Sequence, residues 1–333
     1  MALHQVYSHP IYRSYKAAYC SKAFIFQLLS ISLSIILPFL AAYGSEGFWK
    51  KTNTYREQPL VNFKHEFILL FETGTSGGGG NAQVSSYLLW STFAHLNDLQ
   101  RDRVRVAAVQ SWQGDENRDG KPDELTFKAS IALDEDERVV GVRALLLFDY
   151  FIELHSRLWT EALISVDERR TSAVDSQHQL LKIEGDMRLR QRAPLRHRGV
   201  DRRFESLPIV RNSPFSEDYQ LDKILTAYHR RNLTIYLADK LVIWASDVRG
   251  SIADDARTFQ LQLLIRFPED TIEYYTGLWE LLKWAAIQYG VFLVPSLFLF
   301  GLAREIVFRN RFFAVVANDD QAMAILRGNG KMG

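Results

Sequence analysis

Two uncharged apolar segments constrain this chain more than any other feature. Residues 23–43 and residues 284–303 contain no Asp, Glu, Lys or Arg. At 1.5 Å of rise per residue, a helix of about 20 residues crosses the roughly 30 Å hydrocarbon core of a bilayer. Backbone polar groups in hydrocarbon must find partners within the same segment, so each segment is predicted to be helical. We predict a membrane protein with two transmembrane helices.

Each segment also has an interpretation without a membrane span. The first resembles a cleaved signal peptide, but its apolar stretch is longer than that of a signal peptide and it follows 22 residues of polar character. The second resembles a buried core helix, but it lacks the polar stripe that a surface-packed helix keeps. Trp49 follows the first segment and Trp279 precedes the second, and such rings prefer the headgroup layer. Two membrane spans are therefore favoured.

The distribution of Lys and Arg predicts the orientation of the spans. Three cations precede the first span and three follow the second: Arg13, Lys16, Lys22, Arg304, Arg309 and Arg311. Cationic flanks favour the cytosolic side, so both termini are predicted to be cytosolic. The predicted organisation is a cytosolic segment (1–22), a helix (23–43), an extracellular domain (44–283), a helix (284–303) and a cytosolic tail (304–333).

Short runs rich in β-branched and aromatic residues occupy the middle of the chain. They are predicted to be strands, over residues 61–71, 86–93, 104–112, 125–133, 139–152, 233–244 and 258–267. One amphipathic helix is predicted from the spacing of Leu221, Ile224, Leu225 and Tyr228, with Ser216 as its N-cap. We therefore predict a mainly-β, sandwich-like antiparallel domain with one amphipathic helix.

No pattern in the sequence predicts an enzyme. Residues 74–78 match the spacing of a nucleophile elbow, but the glycines that follow disfavour the helix that this motif requires. His155 and His229 stand at no metal-ligand spacing and are predicted to be structural. The net charge of +1 gives no reason to expect nucleic-acid binding.

Two residues are candidates for covalent modification. Cys20 is the only cysteine and precedes the first span, a position suited to S-palmitoylation, although a free thiol is the simpler interpretation. Asn232 begins the sequon Asn232-Leu233-Thr234, so it is a candidate for N-glycosylation in a domain predicted to be extracellular.

Polar and small residues in the two spans predict how the helices make contact. Two spans joined by a folded domain are expected to lie antiparallel, which places Gln27 and Gln288 near opposite membrane faces. Gln27 is predicted either to contact a helix of another protein or to reach water at the headgroups. Ala286 and Gly290 form a small-xxx-small pair that is predicted to contact residues 41–42.

Residues 115–123 resemble a calcium-binding loop. Side-chain oxygens occupy positions 1, 3, 5 and 9, and the backbone carbonyl at position 7 adds a ligand: Asp115, Asn117, Asp119, Asp123 and Lys121. Gly120 stands at position 6, where such a loop turns sharply. Thr126 replaces the bidentate Glu of an EF-hand, so a shorter loop with a structural calcium ion is predicted. The alternative is a solvated hairpin turn without an ion. No cofactor is required.

Short motifs along the chain occur in the order and spacing of one known family. They are Ser8-His9-Pro10, Arg13-Ser14-Tyr15, Cys20-Ser21-Lys22-Ala23, Gly47-Phe48-Trp49, Glu57-Gln58-Pro59, Trp90-Ser91-Thr92-Phe93, Asp119-Gly120-Lys121, Gly185-Asp186-Met187-Arg188-Leu189, Ser213-Pro214-Phe215, Arg231-Asn232-Leu233-Thr234 and Trp279-Glu280. Together they resemble the transmembrane protein 231 family of the ciliary transition zone. The resemblance leaves out the Gly-rich loop and the tail after Phe313.

This resemblance implies a structural and assembly role in the ciliary membrane at the transition zone. Its implied partners are the tectonic proteins, meckelin and the B9-domain proteins of the MKS module, which helps form the diffusion barrier at the base of the cilium and supports ciliogenesis. The family has no known catalytic residues to carry over. The competing interpretation is a receptor or channel auxiliary subunit whose β-domain binds a ligand.

Overall fold

A computed structural model describes residues 14–18, 21–74, 84–134, 137–170, 180–245, 258–313 and 316–318. The helices are α1 (Lys22–Gly44), α2 (Ala94–Leu99), α3 (Leu221–His229) and α4 (Leu278–Arg309). The strands are β1 (Ser14–Lys16), β2 (Thr52–Glu57), β3 (Leu60–Gly74), β4 (Val84–Ser91), β5 (Ala107–Gly114), β6 (Glu124–Ala132), β7 (Arg138–Ile152), β8 (Arg157–Arg169), β9 (Leu180–Gln191), β10 (Val200–Asp201), β11 (Leu233–Ala245), β12 (Thr258–Arg266), β13 (Asp270–Tyr275) and β14 (Val316–Asn318). The chain divides into a helical unit, Met1–Lys51 with Thr276–Gly333, and a domain, Thr52–Tyr275.

The helical unit contains the two predicted spans. Helix α1 has 23 residues and α4 has 32, and their most apolar windows reach mean hydropathies of 2.2 and 1.9. At 1.5 Å per residue they measure about 34 Å and about 48 Å, so both are long enough to cross a membrane. Helix α4 extends past the predicted span at both ends, from Leu278 to Arg309, and it continues through Pro295.

Helices α1 and α4 pack antiparallel. Their contacts run from one end to the other: the Phe26 and Phe308 rings lie 6.1 Å apart, Ser296 donates to the Ser34 carbonyl, and Gln288 donates to the Glu46 carbonyl. Gln27, beside Phe26, and Gln288 therefore lie at opposite ends of the pair. Their predicted separation is confirmed.

A proline explains the contact in the middle of the pair. Pro38 has no N–H, so the Ser34 carbonyl four residues earlier loses the hydrogen bond that an α-helix would give it. The Ser296 hydroxyl of α4 donates to that carbonyl at 3.1 Å. In hydrocarbon no water is available to hydrogen-bond an unpaired carbonyl. The neighbouring helix supplies the missing donor instead.

The predicted small-residue contact is wrong in its register. Ala286 is exposed, and no atom lies within 4 Å of where a Cβ on Gly290 would stand. At this end of the helix pair Ala42 and Ala285 are the buried alanines, while Ala41 is exposed. Because one residue turns a helix by about 100°, a shift of one position moves a side chain off the contact face.

The domain is a two-layer β-sandwich. Among the described residues, one sheet has the order β10-β8-β7-β3-β4 and the other has the order β11-β9-β12-β6-β5. Separate two-stranded ribbons join β2 to β13 in the domain and β1 to β14 in the helical unit. The sheets are mixed rather than antiparallel as predicted, because β12 runs parallel to β9 and β10 runs parallel to β8.

Each sheet's sequence pattern reflects what covers its outer face. In the first sheet β3 and β7 are nearly continuous apolar runs, since both faces are buried; Leu146 faces the sandwich core and Leu145 faces a second cluster with α2 and α3. In the second sheet β6 and β12 alternate, since their outer face is only half-buried.

Large aromatic side chains fill the space between the sheets. Phe63 and Phe67 of β3 pack edge-to-face on Phe127 of β6, with centroids 5.9 and 5.5 Å apart. Phe71 makes the same kind of contact with Phe259 of β12. Edge-to-face geometry places the positive ring edge on the negative ring face, which adds to the energy of burial.

The amphipathic helix is confirmed but its predicted N-cap is wrong. Ile224 and Tyr228 of α3 are buried, and the Tyr228 hydroxyl donates to the Ile235 carbonyl. Ser216 instead opens a 3₁₀ turn, Ser216–Tyr219, and α3 begins after Gln220.

Two long strands, β8 and β9, were not predicted. In β9 the Gly185-Asp186 pair has low β-propensity, which hides the apolar–polar alternation around it. Gly185 is required there, because a Cβ would lie 2.9 Å from the Ala238 carbonyl oxygen on the paired strand β11.

We predict that Ser296→Ala destabilises the helix pair through the Ser34 carbonyl. The expected loss is about 0.6 kcal/mol, and at most about 1.7 kcal/mol, which is the range for hydrogen bonds between membrane helices. Pro38→Ala restores the helical donor, so Ser296→Ala should then cost nothing. Reversible unfolding in mixed micelles of the unmodified chain, the two single variants and the double variant measures this coupling. An equal cost of Ser296→Ala with and without the Pro38→Ala substitution would contradict the explanation.

Candidate functional site

The five predicted calcium ligands lie together in the loop between β5 and β6. Each side-chain oxygen there accepts hydrogen bonds from within the domain. Asp115 accepts the N–H groups of Asp119 and Gly120, at 3.2 and 3.0 Å. Asp119 accepts the N–H of Lys121 at 2.8 Å, and Asn117 accepts that of Asp119 at 2.9 Å. The loop is therefore ordered by its own backbone, with Gly120 in the left-handed region at φ +86°.

Asp123 connects this loop to the turn between β2 and β3. One carboxylate oxygen accepts the Gln58 amide at 2.8 Å, and the other accepts the Glu116 and Asn117 N–H groups. These hydrogen bonds, that of Gln58 foremost, hold the pKa of Asp123 below its ordinary value of 3.8. Lys121 donates in turn to the Gln58 carbonyl at 2.9 Å.

The loop would have to rearrange to bind calcium. Within the described ranges no three His, Cys, Asp or Glu side chains are grouped to hold a metal ion, and this includes the aspartates of the loop. Asp115 and Asp119 would exchange backbone N–H groups for the ion, which takes six to eight oxygens. Calcium binding here stays a prediction.

The other predicted sites lie apart from this loop. Asn232 is exposed in the turn before β11, and its carbonyl accepts the Arg192 N–H at 2.9 Å, which leaves the side chain accessible for glycosylation. Cys20 lies outside the described residues. Gln27 is exposed on α1 and has no hydrogen-bond partner in the part of the chain that the structure describes. The Ser30 hydroxyl, one turn further along, is buried and also unpaired.

An ion-pair cluster around the buried Glu161 lies on the outer face of the first sheet, where β3 bulges. Between Phe63 and Phe67 the register of β3 against β7 shifts, and His65 takes a φ of +57°. The bulge directs Lys64 to Glu161 and Asp149 and directs Glu66 to Arg211.

Glu161 is the centre of this cluster. Burial alone would raise its pKa, but hydrogen bonds from Lys64, the Leu207 N–H and Arg211 outweigh burial and lower the pKa of Glu161 below its ordinary value of 4.5. Its two oxygens thereby join three separate stretches of chain. The cluster fastens the 207–211 segment over the sheet.

A groove of about 340 Å³ lies beside this segment on the same sheet. Its floor is apolar, from Ile68, Leu70 and Leu89, and its polar lining includes Glu72 and Arg143. Glu72 is buried and pairs with Arg169 at 2.8 Å and with Arg143 at 3.4 Å. The two arginines, which are partly or largely exposed, offset the desolvation cost of the buried Glu72 carboxylate.

The arrangement of these groups offers little chemistry for catalysis. Ser111 Oγ lies 3.4 Å from His65 Nδ1, but no carboxylate among the described residues hydrogen-bonds that imidazole, and both groups are exposed. A serine nucleophile needs a base that a third group orients. His155 stacks on Tyr55 at 4.8 Å and His229 bonds the Leu225 carbonyl, so both have structural partners.

Sequence reasoning did not find the ion-pair cluster or the groove. The one local signal was the run Lys64-His65-Glu66, which interrupts the apolar pattern of β3. The partners Glu161 and Arg211 lie 97 and more residues away, a distance over which one sequence carries no pairing signal.

Comparison with known proteins agrees with this architecture. A family model described as transmembrane protein 231 matches residues 1–317. Transmembrane protein 231 of Pongo abelii and that of Homo sapiens are each 40% identical over 311 residues, covering 93% of this chain and 93% of theirs. The Mus musculus protein is also 40% identical over 311 residues, covering 93% of this chain and 94% of its own.

A solved structure described as a proton-activated chloride channel covers 86% of this chain and 97% of its own, at 8% identity and a TM-score of 0.28. A likeness that weak carries no argument about fold or function. Neither the family description nor the names of the relatives above is that of an enzyme.

The fold defines a class of membrane protein in which two long apolar helices flank a mainly-β domain. The match over nearly the whole length then gives the family. The chain belongs to the transmembrane protein 231 family.

We predict that Glu161→Ala strongly destabilises the domain. It leaves Lys64 and Arg211, whose side chains are 23% and 34% exposed, without their shared carboxylate. Because both cations still reach water, the cost should lie between the roughly 1 kcal/mol of an exposed pair and the about 3–5 kcal/mol of a fully buried one. Because the folded-state pKa of Glu161 is depressed, its contribution is present above pH 4.5 and is lost as the pH falls through its folded pKa. Unfolding of the full chain in detergent at neutral and acidic pH measures both effects.

The matched control for this prediction is Glu168→Ala. Glu168 pairs with Lys240 at 3.2 Å in a more exposed position, so its loss should cost less than about 1 kcal/mol. Equal effects of the two substitutions, or a Glu161→Ala effect that persists unchanged at low pH, would show that the cluster does not stabilise the domain.

We predict that calcium raises the melting temperature of the chain relative to a chelator, because an ion that binds only the folded loop stabilises it. Asp115→Asn should abolish this difference, while Asp98→Asn, at an exposed helix position, should preserve it. Identical melting curves of the unmodified chain in calcium and in chelator would exclude the site.

Proposed function

We propose that this protein is a structural and assembly component of the ciliary transition zone. In this proposal it resides in the ciliary membrane with both termini cytosolic, and it contributes to the diffusion barrier and to ciliogenesis through protein–protein contacts. The partners that its family resemblance implies are the tectonic proteins, meckelin and the B9-domain proteins. Family membership supports this assignment.

The observation that carries the proposal is an unsatisfied amide on α1. Gln27 stands four residues after Ala23 and three before Ser30, both of which are buried, yet its amide is exposed and has no hydrogen-bond partner among the described residues. In hydrocarbon an amide without a partner gains from a polar group on another helix. A chain that assembles with other membrane proteins accounts for such a residue.

A second observation also supports assembly rather than catalysis. Two buried carboxylates of the domain are held in ion pairs, Glu161 with Lys64 and Glu72 with Arg169. These pairs hold chain segments in place. Buried carboxylates with this structural role fit a domain that presents surfaces to partners.

The groove on the first sheet is the one feature that favours the alternative. An apolar floor with a few polar groups is the usual lining of a small-molecule site, and about 340 Å³ lies at the lower end of the usual range. A receptor or channel auxiliary subunit would use it for a ligand. Co-purification of the tagged full chain from ciliated cells separates the two functions, since transition-zone proteins support assembly and a channel pore subunit supports the alternative.

We predict that Gln27→Leu weakens co-purification of transition-zone membrane proteins by about threefold, the effect of one average hydrogen bond between membrane helices. The chain's own melting temperature should stay unchanged, because Gln27 bonds nothing within the described chain. Quantitative mass spectrometry of the purified complexes measures the effect.

Gln288→Leu is the matched control, because the Gln288 amide nitrogen already donates to the Glu46 carbonyl and its Oε1 is buried, so neither atom is offered to another protein. It should retain the partners. Full retention of partners by Gln27→Leu would eliminate the proposed helix contact, and loss of partners by both variants would show that the effect is not specific to Gln27.

A further inference from the structure

Among the described residues, no helix covers the outer face of the second sheet. On the first sheet, α2 and α3 pack against the outer face and form a second apolar cluster there. On the second sheet the large outward-facing side chains of Trp112, Leu241 and Ile243 are exposed. The two sheets of the sandwich therefore differ, since one is covered by the domain itself and the other is open.

The strand register arranges this open surface in rows that cross all five strands. The middle row is Trp112, Thr126, Leu264, Glu184 and Leu241. The row on one side of it is Gly114, Glu124, Arg266, Asp186 and Ala238. The row on the other side is Gln110, Lys128, Gln262, Lys182 and Ile243. We call these three rows the open face.

The charges of the open face are arranged with opposite signs about its middle row. On β6, Glu124 lies in one flanking row and Lys128 lies in the other. On β9, Asp186 lies in the row of Glu124 and Lys182 lies in the row of Lys128. On each of these strands a carboxylate and a lysine are thus equally far from the middle row. An interface between identical copies requires such self-complementarity, because residue i of one copy meets residue j of the other and j meets i.

The two charges on β6 are not used to hold the domain together. Neither Glu124 nor Lys128 forms an ion pair with any residue that the structure describes. Lys128 lies over the Trp112 ring at 5.0 Å, which leaves its charge without a carboxylate. Both side chains are half-buried on the open face, so both are available to opposite charges on another molecule.

The size of the open face suits an interface between two sheets. Its five strands, about 4.8 Å apart, and the nine residues of β6 give it dimensions of about 24 Å by about 30 Å, or roughly 700 Å². A stable interface of standard size buries about 800 Å² on each partner. Sheets pack face to face about 10 Å apart with their strands nearly aligned, so another β-sheet matches this surface in shape.

We propose that the open face is an interface between two copies of this chain. The twofold axis lies along the middle row, so the lysine row of each copy faces the carboxylate row of the other. Lys128 then faces the partner's Glu124, and Lys182 faces the partner's Asp186. Thr126 lies on the axis and faces its own equivalent. The contact uses only residues of the domain and is independent of the proposed ciliary role.

One like-charge contact lies on this axis, between the two copies of Glu184. Within its own sheet Glu184 pairs with Lys182 at 2.6 Å and with Arg266 at 3.0 Å. Each carboxylate therefore brings two cations to the interface, and these offset the repulsion between the two glutamates.

Sedimentation equilibrium of the full chain in density-matched detergent tests the proposal. The unmodified chain should dimerise. Lys128→Glu places two carboxylates opposite each other at two positions of the dimer, so the dissociation constant should rise at least about tenfold. Glu124→Lys should have the same effect, because it places two lysines opposite each other.

Mixing the two variants gives the sharpest result. The Lys128→Glu chain carries two carboxylates on β6 and the Glu124→Lys chain carries two lysines, so a mixed dimer has opposite charges at both positions. Mixed dimers should form with nearly the affinity of the unmodified chain. Within one chain the two positions lie about 13 Å apart along β6, so the recovery can arise only between copies. The recovery also shows that each variant is folded.

Two controls lie on the other side of the sandwich, on α3. Lys223→Glu makes the same change of charge as Lys128→Glu at an exposed position and should leave dimerisation unchanged. In a Cys20→Ser background, a short bismaleimide should join Thr126→Cys to its equivalent in the second copy. It should not join Thr226→Cys, which is exposed on α3.

Four outcomes would overturn the proposal. They are an unmodified chain that stays monomeric at every concentration reached, dimerisation that Lys128→Glu leaves unchanged, mixed variants that stay monomeric, and equal cross-linking at positions 126 and 226. A monomeric chain would leave the open face to a different protein, and a dimer insensitive to both charge changes would place the interface elsewhere.

Discussion

The pairing of the first and last strands of the domain is the interaction on which the rest of the structure depends. Thr52 at the start of β2 pairs with Tyr275 at the end of β13, so the chain enters and leaves the domain at one point. A closed loop of more than 200 residues costs little more entropy than a shorter one, because the cost grows only with the logarithm of length. The ribbon is in turn fastened to the first sheet, since Glu57 accepts the N–H groups of Glu153 and Leu154. The two ends of the domain, to which the two spans are joined, are thereby held next to each other.

Completion of hydrogen bonds is the second constraint, and it acts in three different environments. Between the spans, Ser296 supplies the donor that Pro38 withholds from the Ser34 carbonyl. On the outer face of the first sheet, Glu161 collects donors from Lys64, Leu207 and Arg211. In the exposed loop between β5 and β6, Asp123 and its neighbouring aspartates accept the N–H groups of their own loop. At Gln27, which is exposed on α1 and has no hydrogen-bond partner among the described residues, we propose a contact with another membrane protein.

Sequence patterns predicted those parts of the structure that depend on local physics. The spans followed from the absence of charge, and β3, β7 and the alternating strands followed from what covers each face of a sheet. Strand β9 was missed because Gly185-Asp186 disfavours a strand locally, while the packing of Gly185 against Ala238 on β11 requires one. The predicted contact between the spans was wrong by one residue, since Ala285 is buried and Ala286 is exposed. The two positions differ by a rotation of about 100° around the helix axis, and the composition of an apolar span does not show which of them faces the other helix. Lys64 and Glu161 meet across 97 residues, so only the folded sheet brings them together.

We propose that the two antiparallel spans place the whole domain on one side of a membrane and the segments outside the spans on the other. Labelling with a membrane-impermeant maleimide tests it directly in intact and permeabilised cells. Cys20 is the only cysteine, so the unmodified chain reports on the N-terminal side, and Asn117→Cys in a Cys20→Ser background reports on the domain. We predict that Asn117→Cys is labelled in intact cells and that Cys20 is labelled only after permeabilisation. Labelling of both positions from the same side would contradict the account.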